Sequence, residues 1–334
     1  MIRIKLSSDL PDPLIRQTPG SLGIWGDCKF FFNQDVEECD FWVVYDGVHN
    51  TESTICPPQN VILITAEPPS VYLYPQVFLN QFAVVVTCQR NINHTSVIHT
   101  QTGLPWYAGR RFIDMDKMQS IVTKDYSALK NMRDYQKSKL ISVICSDKRF
   151  TEGHRKRHKF VQRLQSYFGI DIDVFGRGIR AIEDTWDAIS NYRYHVVIEN
   201  SSFPDYWTEK LADTFLAGAY PIYYGCTNLY DYFRQDMYTP INIDNEEESL
   251  KIIDWCIREN LYEKSIASIK EARDLILDVF NMFPLIANLV KELDGKRQIR
   301  KRIQILPGEK VTRVSTFSKR TTIVPYEGDW LLDS

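Results

Sequence analysis

The run HVVIENSSFPDYWTEKLADTFLAGAYPIYYG, His195 to Gly225, reads as strand, polar loop, helix, strand. His195–Ile198 is an apolar run of strand type. The loop that follows gathers Glu199, Asn200, Tyr206, Thr208, Glu209 and Lys210. Trp207, Leu211, Phe215 and Gly218 then recur at intervals of four or three, one face of a helix. Gly218 suits a left-handed helix cap, and Tyr220–Tyr224 reads as the next buried strand. A polar cluster between a strand end and a helix start is where open α/β folds bind nucleotide phosphates. The segment is therefore read as the holder of a nucleotide-linked donor.

Working outward, the same grammar recurs. Upstream lie strands at Leu140–Cys145 and Ile172–Phe175, with a helix over Arg155–Phe168 between them. Downstream, Ile241–Asp244 reads as a strand, and helices follow over 246–259, 263–280 and 281–293. Nearer the N-terminus, Met1–Leu6, Phe41–Tyr45, Val61–Thr65 and Phe82–Thr87 are short apolar strands of the kind that form a parallel sheet covered on both faces. Residues 115–137 are polar and read as a helix and connector. The expected division is 1–137, 138–303 and a basic tail, 304–334.

The 334 residues suffice for two α/β domains, each with a core. A formal net charge of -3 gives no general attraction to nucleic acid. The seven cysteines are scattered without a CxxC pair, which argues for reduced thiols, an intracellular compartment and no zinc. No stretch resembles a signal peptide or a membrane span. Two glycosylation sequons occur, at Asn93 and Asn200, and in a cytoplasmic chain neither has meaning.

Arg157 lies on the helical line of Phe160, Val161 and Leu164. From the residues alone it is either an exposed member of the basic patch RKRHK or a guanidinium aimed at diphosphate oxygens. Lys210 is poorly placed for the helix dipole, which makes sense if an anion binds there. Glu209 is either its solvated companion or an acceptor for ribose hydroxyls. Glu67 ends a buried strand and reads equally as a capping carboxylate or a general base. Asp171-Ile172-Asp173 imitates a metal-binding DxD but runs straight into a strand. His195 reads as a core residue. There is no Walker lysine loop and no GxGxxG.

The run VIENSSFPDYWTEKL followed by FLAGAYPIYYG, with the upstream DIDVFGRG, resembles the donor-binding signature of the α1,3/α1,4-fucosyltransferases, glycosyltransferase family 10. The likeness covers about residues 140–245 and is closest to soluble bacterial members. It implies a GT-B architecture: two facing Rossmann-like domains with a donor/acceptor cleft, acceptor side N-terminal and donor side C-terminal. The implied donor is GDP-fucose, with no metal and no further cofactor. Arg157 and Lys210 would then neutralise the diphosphate and Glu209 would hold the ribose. Asn200 and Tyr206 would contact the sugar-phosphate region, Thr208 joins the donor set, and Glu199 supports the loop. The family's base lies in a T-G-E motif. The nearest match is Thr65-Ala66-Glu67, which makes Glu67 the implied catalytic base. The implied acceptor is an N-acetylglucosamine-like unit of an oligosaccharide or lipid-linked glycan, as in lipopolysaccharide synthesis. Trp25, Trp106 and Tyr107 are acceptor-side candidates that fit a core equally well. The basic tail from Lys296 to Arg320 is either solvated or a peripheral contact with an anionic membrane surface. The same fold with another nucleotide sugar, or a non-catalytic binding protein, are the alternatives.

Overall fold

The computed structural model describes the whole chain except residues 11–12, 104, 115–118, 134, 146–151, 294–298, 309–310, 315–321 and 326–334. The chain divides into two compact units, one of Met1–Pro105, Asp125–Ser127 and Phe280–Trp330, the other built mainly of Trp106–Lys124 and Ala128–Val279. The second unit thus takes in 106–124, and the first recovers the chain at 280. The anticipated cuts at 138 and 304 differ from both. The reason is the Met282–Leu293 helix, which buries Met282, Phe283, Ile286 and Val290 in one core with Ile4, Leu6 and Phe30.

The first unit is built on a seven-stranded sheet. Its order is Ile24–Trp25, Cys28–Phe32, Ile2–Ser8, Phe41–Tyr45, Val61–Ile64, Val84–Thr87, Val97–His99. All neighbours are parallel except the antiparallel pair at the Ile24–Trp25 edge. Phe41–Tyr45 and Val61–Ile64 are buried at every position, as strands covered on both faces must be. Lys301–Ile305 pairs antiparallel with Glu52–Cys56, so the start of the expected tail is folded strand. Much of the remaining basic tail, with Lys296, lies outside the described residues.

The second unit carries an all-parallel five-stranded sheet, ordered Ile172–Phe175, Lys139–Ile144, Tyr192–Ile198, Tyr220–Tyr224, Thr239–Pro240. Tyr194, Val196 and Ile198 share a core with Phe160, Val161 and Leu164 of the Glu152–Phe168 helix. His195 points the other way by the two-residue period. It is 3% exposed and its Nδ1 lies 2.8 Å from Ser142 Oγ. The last strand is Thr239–Pro240, and 241–244 is not strand: Asn242 instead bonds Ser249 at the start of the Glu246–Arg258 helix. Residues 115–137 hold a strand, Gln119–Val122, as well as the Tyr126–Asn131 helix. That strand pairs with Arg110–Asp114 and is mostly exposed, so it lacks the apolar alternation that marks strands in sequence.

Candidate functional site

In the second unit the Tyr192–Ile198 strand ends where the Glu209–Leu216 helix begins, and the loop between them folds back over the strand end. Glu199 N–H donates to the Tyr224 carbonyl at 2.9 Å, which keeps the chain in register one residue past the strand. The Glu199 carboxylate then turns inward. It accepts from Thr208 N–H at 2.8 Å and Thr208 Oγ1 at 2.7 Å, and is 1% exposed. Burial pushes its pKa up to about 7, although Lys210 beside it favours the charged form. Gly225 makes room for this carboxylate: a Cβ there would lie 2.4 Å from Glu199 Cγ.

Thr208 caps the helix, its hydroxyl accepting from Lys210 N–H at 3.3 Å. Lys210 Nζ donates to Glu209 Oε1 at 2.7 Å and lies 3.9 Å from Glu199 Oε2. Gly218 closes the helix at φ 68°, the left-handed cap its identity suggested. One turn below Glu209, Asp213 is buried and accepts from Tyr107 N–H and Thr185 Oγ1. A pocket here is lined by Ile144, His195, Ile198, Glu209, Lys210 and Asp213. Burial pushes the His195 pKa down to about 3, with Lys137 adding to the effect, so its imidazole is neutral at ordinary pH.

Arg157 approaches from the neighbouring strand's helix. It is 1% exposed, and Nη1 donates to Asn200 Oδ1 at 2.6 Å. The exposed-patch alternative for Arg157 is thereby excluded. Its sequence neighbours are the ones that turn outward: Lys156 pairs with Asp244 and Lys159 with Glu246. The approach is close because residue 153 is glycine, where a Cβ would lie 2.1 Å from the Asn200 carbonyl oxygen.

Arg157 with Asn200, and Thr208, Glu209 and Lys210 with Glu199, thus form two polar groups that meet at the Glu199-Asn200 step of the loop. Tyr206 is on the same loop, buried and stacked on Phe203 at 5.0 Å. What fixes that loop was missed in sequence. Asp205, at φ 64°, donates its N–H to Asn228 Oδ1 at 2.7 Å and accepts from Asn228 Nδ2 at 2.9 Å and Tyr232 OH at 2.6 Å. The Pro204-Asp205 pair was a turn signal that could have shown the first half of this clamp. The DxD imitation is structural: Asp173 binds Lys139, Arg180 and Tyr192. Trp106 is buried and Tyr107 half-buried in the second unit, while Trp25 packs edge-on to Tyr126 in the first.

Glu67 belongs to the first unit, just past the end of the Val61–Ile64 strand, and is half-buried. Its carbonyl accepts from Gln89 Nε2 at 2.7 Å. The preceding Ala66 N–H is shared between Asp46 Oδ1 and Tyr74 OH, both at 3.1 Å, and Tyr74 OH donates in turn to Asp46. Asp46 is fully buried and Tyr74 7% exposed, and burial beside Asp46 holds the Tyr74 pKa well above the usual phenol range.

Residues 135–251, which contain both polar groups of the second unit, match the model of the glycosyltransferase family 10 (fucosyltransferase) C-terminal domain. That stretch of the second unit is therefore similar to a family 10 glycosyltransferase C-terminal domain. Each of the two units is of the α/β type, built on a mainly parallel sheet. Among solved structures, the chain is similar to an alpha1,3-fucosyltransferase with GDP-fucose, at 15% identity over 89% of this chain and 91% of that one, TM-score 0.47. A glycosyltransferase from Rickettsia africae matches at 12% identity over 88% and 99%, TM-score 0.43. An alpha-glucosyltransferase in complex with UDP and a 13-mer DNA matches at 10% over 88% and 100%, TM-score 0.47. Among the described residues, no helix is long and apolar enough to cross a membrane.

Proposed function

We propose that this protein is an inverting fucosyltransferase of the α1,3/α1,4 type, which moves fucose from GDP-fucose to a glycan hydroxyl. One observation carries the donor half of the reading. Two neighbouring parallel strands each feed a helix, and the two helices bring Arg157 and Lys210, both largely buried, to the polar loop that follows the strand end. Lys210, in the first turn of its helix, opposes the macrodipole, and an anion bound there reverses that cost. A diphosphate meets both cations and leaves Glu209 to accept from ribose hydroxyls. Asn200, Tyr206 and Thr208 complete the donor set, and the donor-binding domain is the second unit.

The reaction is a single displacement. Glu67 of the first unit takes the proton of the acceptor hydroxyl as that oxygen attacks the fucose anomeric carbon. GDP departs from the opposite face, and Arg157 and Lys210 stabilise the charge that grows on its diphosphate. The acceptor we favour is an N-acetylglucosamine-like unit of a surface glycan, reached in the cytoplasm.

The test is incubation with GDP-fucose and GDP-mannose separately over a panel of oligosaccharide acceptors. The expected result is transfer from GDP-fucose. Transfer from GDP-mannose alone would leave the fold's role intact and sink the fucose assignment.

A further inference from the structure

We propose that the Lys210–Glu209 ion pair is a selectivity gate: it opens for a ligand that carries a diphosphate and a vicinal diol together, and stays shut to a diphosphate alone. The inference deepens the donor reading given above and rests on it. Adjacent residues on a helix do not ordinarily face each other. Here Lys210 Nζ nevertheless donates to Glu209 Oε1 at 2.7 Å, and the two side chains are only 13% and 11% exposed. A second carboxylate, Glu199, lies 3.9 Å from the same ammonium. The ammonium that a phosphate would use is therefore already engaged by acids of its own chain.

An anion that draws Lys210 away strands the Glu209 carboxylate in a largely desolvated place, and a buried carboxylate without a partner is costly. The two carboxylates do not suffer alike. Glu199 keeps both hydrogen bonds from Thr208 whatever Lys210 does. Glu209 needs new donors, and the two hydroxyls of a ribose supply them. Inorganic pyrophosphate provides the anion and no donors. A nucleoside provides the donors but cannot replace Glu209 as the counter-charge of Lys210. Only a nucleoside diphosphate replaces both halves of the pair, so each half of such a ligand strengthens the binding of the other.

The test is calorimetry with inorganic pyrophosphate, guanosine and GDP on the full chain, in the parent protein, Glu209→Gln, Glu209→Ala and Lys210→Ala. Removing the Glu209 carboxylate leaves Lys210 with one acid fewer to give up for an anion. Pyrophosphate is expected to bind about tenfold tighter to both Glu209 variants than to the parent, the worth of one charge-assisted hydrogen bond. GDP is expected to bind weaker to them, because two ribose hydrogen bonds are lost against the one ion pair that no longer has to open. Pyrophosphate affinity that is unchanged or weaker in both Glu209 variants overturns the gate. If GDP binds the parent and Lys210→Ala weakens it while pyrophosphate ignores Glu209, the donor reading stands and the gate falls. If the parent binds no GDP, both fall.

Discussion

Two parallel strands of this molecule end in acidic loops, and they are built on opposite plans. After Ile198 in the second unit, the residues proposed to meet the ligand also hold the loop: Glu199 grips Thr208, Thr208 caps the helix, and Lys210 leans on Glu209. After Ile64 in the first unit, Glu67 takes its backbone support from elsewhere, from Gln89 behind it and from the Asp46–Tyr74 pair beneath Ala66. Where scaffold and chemistry coincide, a substitution disturbs both at once. Where they are separate, rate and stability can be altered one at a time.

Glu67→Gln tests that separation most severely. It is expected to lower the transfer rate by about 10²- to 10⁴-fold, the value of a general base, with GDP affinity unchanged. Initial rates and calorimetry on one preparation decide it, and full activity removes Glu67 from the mechanism.

Next in size is Glu199→Gln, where the coupled plan predicts a pH signature. The Glu199 pKa is raised from 4.5 to about 7 by burial. A carboxylate raised in this way is most favourable to folding below 4.5, and its contribution is lost as pH climbs to 7 because the folded state then holds a proton the unfolded state has released. The loss amounts to about 3 kcal/mol at pH 7. Urea midpoints should therefore fall between pH 5 and 7.5 in the parent, and the Glu199-dependent part of that fall should vanish in Glu199→Gln.

Tyr74→Phe breaks the detached scaffold. It removes the hydroxyl shared with Asp46 and Ala66 and should cost about 1–3 kcal/mol of stability. In the folded protein the transfer rate and GDP affinity should both hold, since the change leaves Glu67 and its Gln89 contact in place. A fall in GDP affinity would show that the first unit's scaffold is not separate. Thr208→Ala should cost about 1–3 kcal/mol, since it removes the cap and one of the two hydrogen bonds to the buried Glu199, read from the same urea midpoints. Unlike Tyr74→Phe, it should weaken GDP binding too.

The comparison also explains what could be read from sequence. The loop proposed to hold the donor was legible because its strand, helix and charges form one continuous run, whereas helical spacing put Arg157 on the line of Phe160 and Leu164 without deciding whether it was buried. The Asp205–Asn228 clamp spans 23 positions and the Tyr74–Asp46 bond 28; Pro204-Asp205 signals a turn, but no local pattern pairs Asp205 with Asn228 or Tyr74 with Asp46. The Gln119–Val122 strand escaped because a polar, exposed strand leaves no apolar alternation. The first unit's debt to Met282–Leu293 escaped as well: that helix is amphipathic in sequence, but nothing in its pattern says which sheet it serves.

That debt has a consequence for the order of synthesis. The first unit opens the chain, yet its core is finished by a helix that begins at Met282, and its Glu52–Cys56 strand finds its partner at Lys301–Ile305. The ribosome must therefore release the whole second unit before the first can close. Domains made first ordinarily fold first. In this chain the second unit is the one able to mature earlier, and the N-terminal sheet waits with an unfilled apolar face until the Met282–Leu293 helix emerges.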